Sequence, residues 1–300
     1  MNLNIIYETP KKQDICVAFV SFNACGYLRP LQNQLLFKNK LVLAKIPFFS
    51  AEVIIGDTPK LNPDANLTLK SSCPFFYKEA AWNALEKIIP DVYTKIVFCD
   101  ADIIFNDPEW CDKVSTVLDT CDIMQPFDTC VYLDASFKPT TKIKKSRLLC
   151  IAKNETNKNA HGGFGLAIRR DFLKSVNGFF DKMLIGGGDT VLCHFLEKKE
   201  LYITVSPIMR NFAFKYYSEF KKKNPRIGYI ENIIVYHLYH GDMSNRNYIN
   251  RHKILLSCSY LSWDELFYQN ADNLWESKSD RLIETCKQYF AERKEDDIQP

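Results

Sequence analysis

The chain has almost no net charge. Its 39 lysines and arginines stand against 36 aspartates and glutamates, a formal +3, so nothing in the overall charge steers it toward nucleic acid or an acidic surface. The basic clusters Lys142–Arg147 and Lys221–Lys223 have no aromatics interleaved as in a nucleic-acid module and read as solvated loops. Long apolar runs are missing too. None reaches the roughly 18 uncharged residues of a membrane-spanning helix, and the opening MNLNIIYETPKKQD has no apolar core of a signal peptide. No CxxC pair occurs among the eleven cysteines. An odd count without a paired ladder predicts reduced, mostly buried thiols, and with them a cytoplasmic protein without integral membrane contact. The glycosylation patterns at Asn66-Leu67-Thr68 and Asn154-Glu155-Thr156 are then coincidental. No repeat and no linker divides the 300 residues.

What is present is an alternation. Ile15–Phe22 (ICVAFVSF) is a continuous apolar run, the mark of a strand buried on both faces. Pro30–Lys45 has helical spacing, Ala51–Gly56 reads as a second strand, Tyr77–Ile89 as a helix and Lys95–Asp100 as a third strand. Such alternation predicts an α/β layer with a parallel sheet flanked by helices. Further on, Pro108–Asp119 reads as a helix. Asp122–Gln125, Cys130–Leu133, Phe164–Ile168 and Tyr229–His237 read as strands, and Asp171–Val176 and Thr190–Lys198 as helices. Ser136–Ala160 is polar and Lys-rich and reads as a mobile loop. From Asn247 onward the pattern is helical. The expected organisation is a catalytic domain over 1–245 and a helical C-terminal extension over 246–300 packed on it, with a flexible charged tail at 293–300.

The third strand ends on KIVFCDADIIF. Asp100 and Asp102 are two residues apart, so on extended chain they share a face. Two converging carboxylates repel unless a cation neutralises them, and a hard divalent ion bound with substrate phosphates does this well. Ligands of open α/β sheets bind at the carboxyl ends of strands, where Asp100 is expected. A D-x-D also opens the haloacid-dehalogenase phosphohydrolases. There it lies near the N-terminus and continues to Thr or Val, whereas here it lies 100 residues in and Ile104 stands at that place.

Further motifs follow in order: YKEAAWNALEKIIP (Tyr77–Pro90), HGGFGLAIRRDFLKSVNGFFDKMLIGGGDT (His161–Thr190) and VYHLYHGDMSNRNYINRHKIL (Val235–Leu255). Together with the D-x-D this set resembles the GT-A-fold glycosyltransferases, family 2-like and with a galactosyltransferase C-terminal-like segment. The resemblance runs from about Ile15 to Asp297. It implies a GT-A-like nucleotide-diphospho-sugar transferase fold, a Rossmann-like mixed sheet flanked by helices. It also implies a nucleotide-sugar donor, UDP-linked, and a glycan or protein hydroxyl as acceptor.

The resemblance further implies roles for single residues. Asp100 and Asp102 would hold the divalent ion, with a third ligand from His237 or His240. Phe22 and Asn23 would pack the base, Asp57 would meet the base or ribose, and Lys78, Asn83, Asp100 and Ala101 would approach the donor sugar and diphosphate. Gly186–Asp189 resembles the glycine-acid motif of inverting enzymes, which makes Asp189 the general base although the usual Glu-Asp pair is reduced to one acid. His161, Gly162, Gly163 and Gly188 would meet the acceptor. An attacking hydroxyl needs a carboxylate within hydrogen-bond reach, and imidazole suits Mn²⁺ somewhat better than Mg²⁺. The rival expectations are a D-x-D phosphohydrolase and a nucleotide-sugar-binding module without turnover. A bland reading makes Asp189 the N-cap of its helix and His237 a satisfied core histidine.

Overall fold

The computed structural model describes residues 14–197, 207–248, 250–258 and 260–296. The alternation predicted from sequence forms a layered α/β core. Strand β1 (Ile15–Phe22), helix α1 (Leu28–Leu43), strands β2 (Phe48–Ile55) and β3 (Leu67–Ser71), helix α2 (Lys78–Glu86) and strand β4 (Lys95–Cys99) come first. Then follow β5 (Ile103–Phe105), α3 (Trp110–Leu118), β6 (Ile123–Met124), β7 (Thr129–Leu133), β8 (Pro139–Ser146), α4 (Arg147–Ala152), β9 (Ala160–His161) and β10 (Gly165–Arg169). The remaining elements are α5 (Arg170–Ser175), α6 (Gly188–Leu196), α7 (Pro207–Lys222), β11 (Ile234–His237), α8 (Lys253–Leu256), α9 (Trp263–Leu266), β12 (Phe267–Gln269), β13 (Trp275–Ser277) and α10 (Asp280–Glu292).

The main sheet has the order β3-β2-β1-β4-β10-β6. Its first four strands are parallel, and β10 and β6 extend it antiparallel. Alternate residues of β1 and β4 feed opposite faces. Val17, Phe19 and Val97 pack with Phe37 of α1 and Trp110 of α3. Cys16, Ala18, Ile96 and Phe98 pack with Trp82 of α2 and Leu173 of α5. Burial on both faces is why these strands read as unbroken apolar runs. The one lysine in β4, Lys95, is buried because Asp14 and Asp119 take its Nζ at 2.7 and 2.5 Å.

After β4 the chain crosses Asp100-Ala101-Asp102 into a second sheet of order β5-β11-β7-β8-β9. Pairing of Ile103 with His237 sets β11 beside the D-x-D. All eleven cysteines are free and ten are buried, as their spacing predicts. No helix among the described residues is long and apolar enough to cross a membrane.

Four expectations need correction. Ser136–Ala160 is no mobile loop: β8 pairs antiparallel with β7, and α4 follows with Ser146 as a side-chain N-cap. Between the expected second strand at Ala51–Gly56 and the expected helix at Tyr77–Ile89, where the sequence reading places no element, lies β3, paired parallel to β2. Residues beyond 246 are not mainly helical. Those described form the short α8 and α9, a β12–β13 hairpin and, among the described residues, one long helix, α10. Their apolar side chains, such as Leu255, Trp263, Leu274 and Leu282, share one core with Val53, Leu69 and Phe75 of the sheet half. The tail is not free at its start either, since Arg293 is buried and Glu295, half-buried, pairs with it and with His240. Residues 297–300, where that expectation continues, lie outside the described residues, as does Lys198, the predicted end of α6.

Candidate active site and metal centre

A cleft of about 520 Å³ opens at the carboxyl ends of β1 and β4. Phe22, Asn23, Lys78, Asp100, Ala101 and Asp102 line it, and so do His161, Asp189, His237 and His240. The sequence motifs, spread over more than 200 residues, therefore converge.

At one end stand Asp102, His237 and His240. His240 Nε2 lies 2.8 Å from Asp102 Oδ2, and His237 Nε2 lies 3.6 Å from the same oxygen. One ligand atom from each falls within 4.8 Å of the others. Yet His240 Nε2 and Asp102 Oδ1 are buried without a hydrogen bond. The 2.8 Å approach is thus not an aligned N–H···O bond, and a buried polar atom left so is costly. Nitrogen and oxygen facing a shared point, with one lone pair unspent, fit the ligands of one cation. Burial would raise Asp102, but His237, His240 and Arg246 hold it well below the ordinary carboxylate range. Burial pushes His237 well below the ordinary imidazole value, so the ring is neutral and can ligate. The donor set of one carboxylate and two imidazoles suits a divalent first-row metal ion. Both histidines, not one, stand around Asp102.

Behind His240 stands a residue that the sequence reading missed. Glu295 Oε1 lies 3.2 Å from His240 Nδ1, and Arg293 donates to the same oxygen at 2.5 Å. Arg293 and His240 outweigh burial and draw Glu295 down to about 2. A carboxylate on the outer nitrogen orients a ligating imidazole. The backbone fixes the rest: Leu238 N–H donates to Asp102 O at 2.8 Å.

Asp100 faces the other way. Its Oδ1 lies 3.3 Å from Lys78 Nζ, and its Oδ2 accepts from Phe164 N–H at 3.1 Å. It lines the cleft but stands outside the Asp102-His237-His240 group. Burial alone would lower Lys78, but Asp100, Asp189 and Glu79 hold it above its ordinary value.

Asp189 lies in the first turn of α6. Its N-cap is Gly187 in a left-handed conformation, φ 96°, so Asp189 is no cap. Burial would raise it, but Lys78 and His161 hold it below the ordinary range. The loop from His161 to Gly163 lies against it: a Cβ on Gly163 would stand 2.7 Å from Asp189 Oδ2. Gly162 and Gly188 are as tightly set, against Cys193 Sγ and Glu79 Oε1. These three glycines do not line the main cleft; they line a small adjoining cavity that shares Lys78, Glu79 and Asp189 with it. His161 Nδ1 accepts from Gly163 N–H at 2.9 Å, which leaves the proton on Nε2. Its ring stacks on Phe164 at 4.6 Å, and burial lowers its pKa. Gln125, which the sequence did not single out, donates to the carbonyls of His161 and Gly163 and fixes this loop.

Two expected residues stand elsewhere. Asp57 is exposed on the turn after β2, where Gly56 takes a positive φ and the Thr58 hydroxyl accepts from Ile55 N–H; Glu52, within β2, lines the cleft instead. Asn83 is one turn too far along α2. Its amide donates to Phe179 O and accepts from Phe179 N–H, a structural brace outside the cleft. Asn23 lines the cleft, but its amide is committed to Tyr27 N–H and O. Phe22 packs edge-on to Phe76 at 5.5 Å. Glu79, unremarked in the sequence, is buried at the base of the cleft, where burial pushes it up to about 7 against the pull of Lys78.

No protein-family model and no curated protein matches the chain. Among solved structures it is similar to the catalytic domain of Drosophila β1,4-galactosyltransferase 7 in complex with xylobiose, at 14% identity and TM-score 0.35 over 60% of this chain. The match spans only 59% of that chain. It is also similar to a mannosyltransferase from Pyrobaculum calidifontis in complex with GDP-Man and Mn²⁺, at 13% identity and TM-score 0.47 over 93% of this chain and 69% of the other. A third likeness is to 4-diphosphocytidyl-2C-methyl-D-erythritol synthase from Anaerococcus prevotii, at 10% identity and TM-score 0.36 over 93% and 99%.

Proposed function

We propose that the chain is a metal-dependent glycosyltransferase of the GT-A type. It moves a sugar from a nucleotide diphosphate, read here as UDP, to a glycan or protein hydroxyl with inversion at the anomeric carbon. The observation that carries this reading is the sharing of one cleft by the Asp102-His237-His240 triad and the Asp189 carboxylate.

A divalent ion held by Asp102, His237 and His240 supplies charge that offsets the leaving diphosphate without a proton transfer. Two imidazoles in the set favour Mn²⁺ over Mg²⁺. Phe22 and Phe76 offer an apolar wall to a base, and Lys78 brings a cation toward the diphosphate. Asp189, kept ionised, takes the proton of the acceptor hydroxyl as its oxygen bonds to the anomeric carbon. The bond from that carbon to the diphosphate oxygen breaks, and the pair leaves with the nucleotide. His161 offers Nε2–H to an acceptor oxygen.

The test is thermal shift with UDP, GDP, CMP and dTDP sugars, each with Mn²⁺, Mg²⁺ or EDTA. A ligand present at about a hundred times its Kd adds about 2.7 kcal/mol. The expected result is a shift with one nucleotide sugar that disappears in EDTA and in Asp102→Asn. No shift with any donor and either metal overturns the reading. Phosphate release from simple phosphoesters would replace it with a phosphohydrolase.

A further inference from the structure

Two buried arginines reach the cleft wall from the segment after β11. Arg246 is 5% exposed and Arg251 8%. Arg246 is committed at the metal end: its guanidinium donates to His240 O at 3.2 Å and to the Tyr248 hydroxyl at 3.1 Å. Arg251 is different. Its Nε is buried without a partner, as is that of Arg246, but among the described residues none of its other guanidinium nitrogens makes a hydrogen bond or ion pair either. It is held by rings alone, 4.8 Å above Tyr248 and 5.6 Å above Phe76.

Such contacts recover only part of what it costs to take a cation out of water. The rings hold the guanidinium in place, and although its charge helps keep Asp189 ionised, no carboxylate among the described residues bonds to it, so its fork is left open to a ligand. The surroundings say which part of the cleft it faces. Gly186 and Gly187, with φ of 81° and 96°, lead directly into Asp189, and a Cβ on Gly186 would stand 3.0 Å from Arg251 Nη1. Only glycine leaves the guanidinium its room at that loop. Arg251 therefore faces the end where the acceptor hydroxyl loses its proton, while Arg246 serves the end with the histidines.

We infer that Arg251 receives an anionic group, carboxylate or phosphate, carried by one of the two reacting sugars, so that this cleft takes an acidic sugar as substrate. The inference rests on the glycosyltransferase reading and narrows it. A planar guanidinium stacked on rings presents a fixed fork, which suits an oxyanion better than a neutral hydroxyl.

The test is calorimetry on the full chain, wild type and Arg251→Gln, each first titrated with UDP and Mn²⁺. Each is then titrated with the methyl glycosides of glucuronic and galacturonic acid, with glucose 6-phosphate, and with neutral methyl glucoside and methyl galactoside. One anionic class should bind wild type about tenfold or more tighter than its neutral counterpart, and Arg251→Gln should erase the difference. Uronides winning identifies a carboxylate, glucose 6-phosphate winning a phosphate. Arg251→Lys, which keeps the charge without the fork, should restore part of the preference. UDP and Mn²⁺ affinity should be the same in all three proteins. Without ligand, Arg251→Gln should melt no lower than wild type, because it removes an unpaired buried charge. Anionic sugars that bind no better than neutral ones, or not at all, overturn the inference. So does an Arg251→Gln protein whose loss falls on UDP and Mn²⁺, which would make Arg251 a diphosphate ligand. If wild type fails to bind UDP and Mn²⁺, the glycosyltransferase reading fails by itself, and the same sugar titrations without nucleotide decide the anion site.

Discussion

The two ends of the cleft are built on opposite plans. At the metal end charges alternate: Asp102 with its histidines, His240 with Glu295, Glu295 with Arg293. Most groups there are held by another protein group; Asp102 Oδ1, His240 Nε2 and Arg246 Nε are left over, and the first two suit one ion. At the Asp189 end, Lys78 reaches Asp100, while the buried Glu79 and Arg251 have no ion-pair partner among the described residues. Glycines, not side chains, fill the loops. A preorganised shell thus faces an end whose polar groups wait for substrate. The first plan favours affinity for a small fixed ligand; the second leaves recognition to whatever substrate enters.

That contrast breaks most sharply at Asp189. Asp189→Asn should lower turnover by about 10² to 10⁴ while UDP and Mn²⁺ still bind, read by steady-state kinetics beside calorimetry. Asp102→Asn should do the reverse first, weakening Mn²⁺ binding by about 100-fold or more, followed by the paramagnetic resonance of free Mn²⁺. A turnover loss in both variants with metal binding intact in both would erase the distinction between the ends.

Glu79 sharpens the comparison through pH. The native state keeps its proton up to about 7, whereas an unfolded glutamate releases it near 4.5. Stability from this group is complete below that lower value and is lost as pH rises through the higher one. The loss is at most about 3 kcal/mol. Urea unfolding of wild type and Glu79→Gln across that window should show the slope only in wild type. Glu295→Gln is the mildest change. It keeps the shape but weakens the hold on His240, and Mn²⁺ affinity should fall about tenfold.

The parts of this molecule that could be read from sequence are those whose residues report their own surroundings. β1 and β4 are apolar but for Ser21 and Lys95 because both faces of the sheet are covered. The D-x-D announces itself by breaking such a run, and Asp189 by following three glycines. β8 could not be read this way. One face of it is solvated and the other carries lysines, Lys142 lying 4.2 Å over the Tyr132 ring at the cleft. Arg251, Arg293 and Glu295 were equally silent, because a charged residue in a polar stretch reads as solvated. Their burial is decided by groups far along the chain. Asp57 misled for the related reason that a strand-end acid looks the same whether its side chain turns toward a ligand or toward water.

The Asp296 carboxylate accepts from Leu28 N–H and Arg29 N–H at 3.0 and 2.7 Å, across 268 and 267 residues of chain. Closing a loop of that length carries a large entropic cost before any contact rewards it. The parallel strands pair over much shorter separations and can form without it. Glu295 lies one residue from that closure, so the orientation of His240 depends on the two ends of the chain having met. On the proposed metal reading, affinity for the ion would then double as a measure of complete folding: a collapsed form with its sheet intact but its ends apart would fail to take the ion.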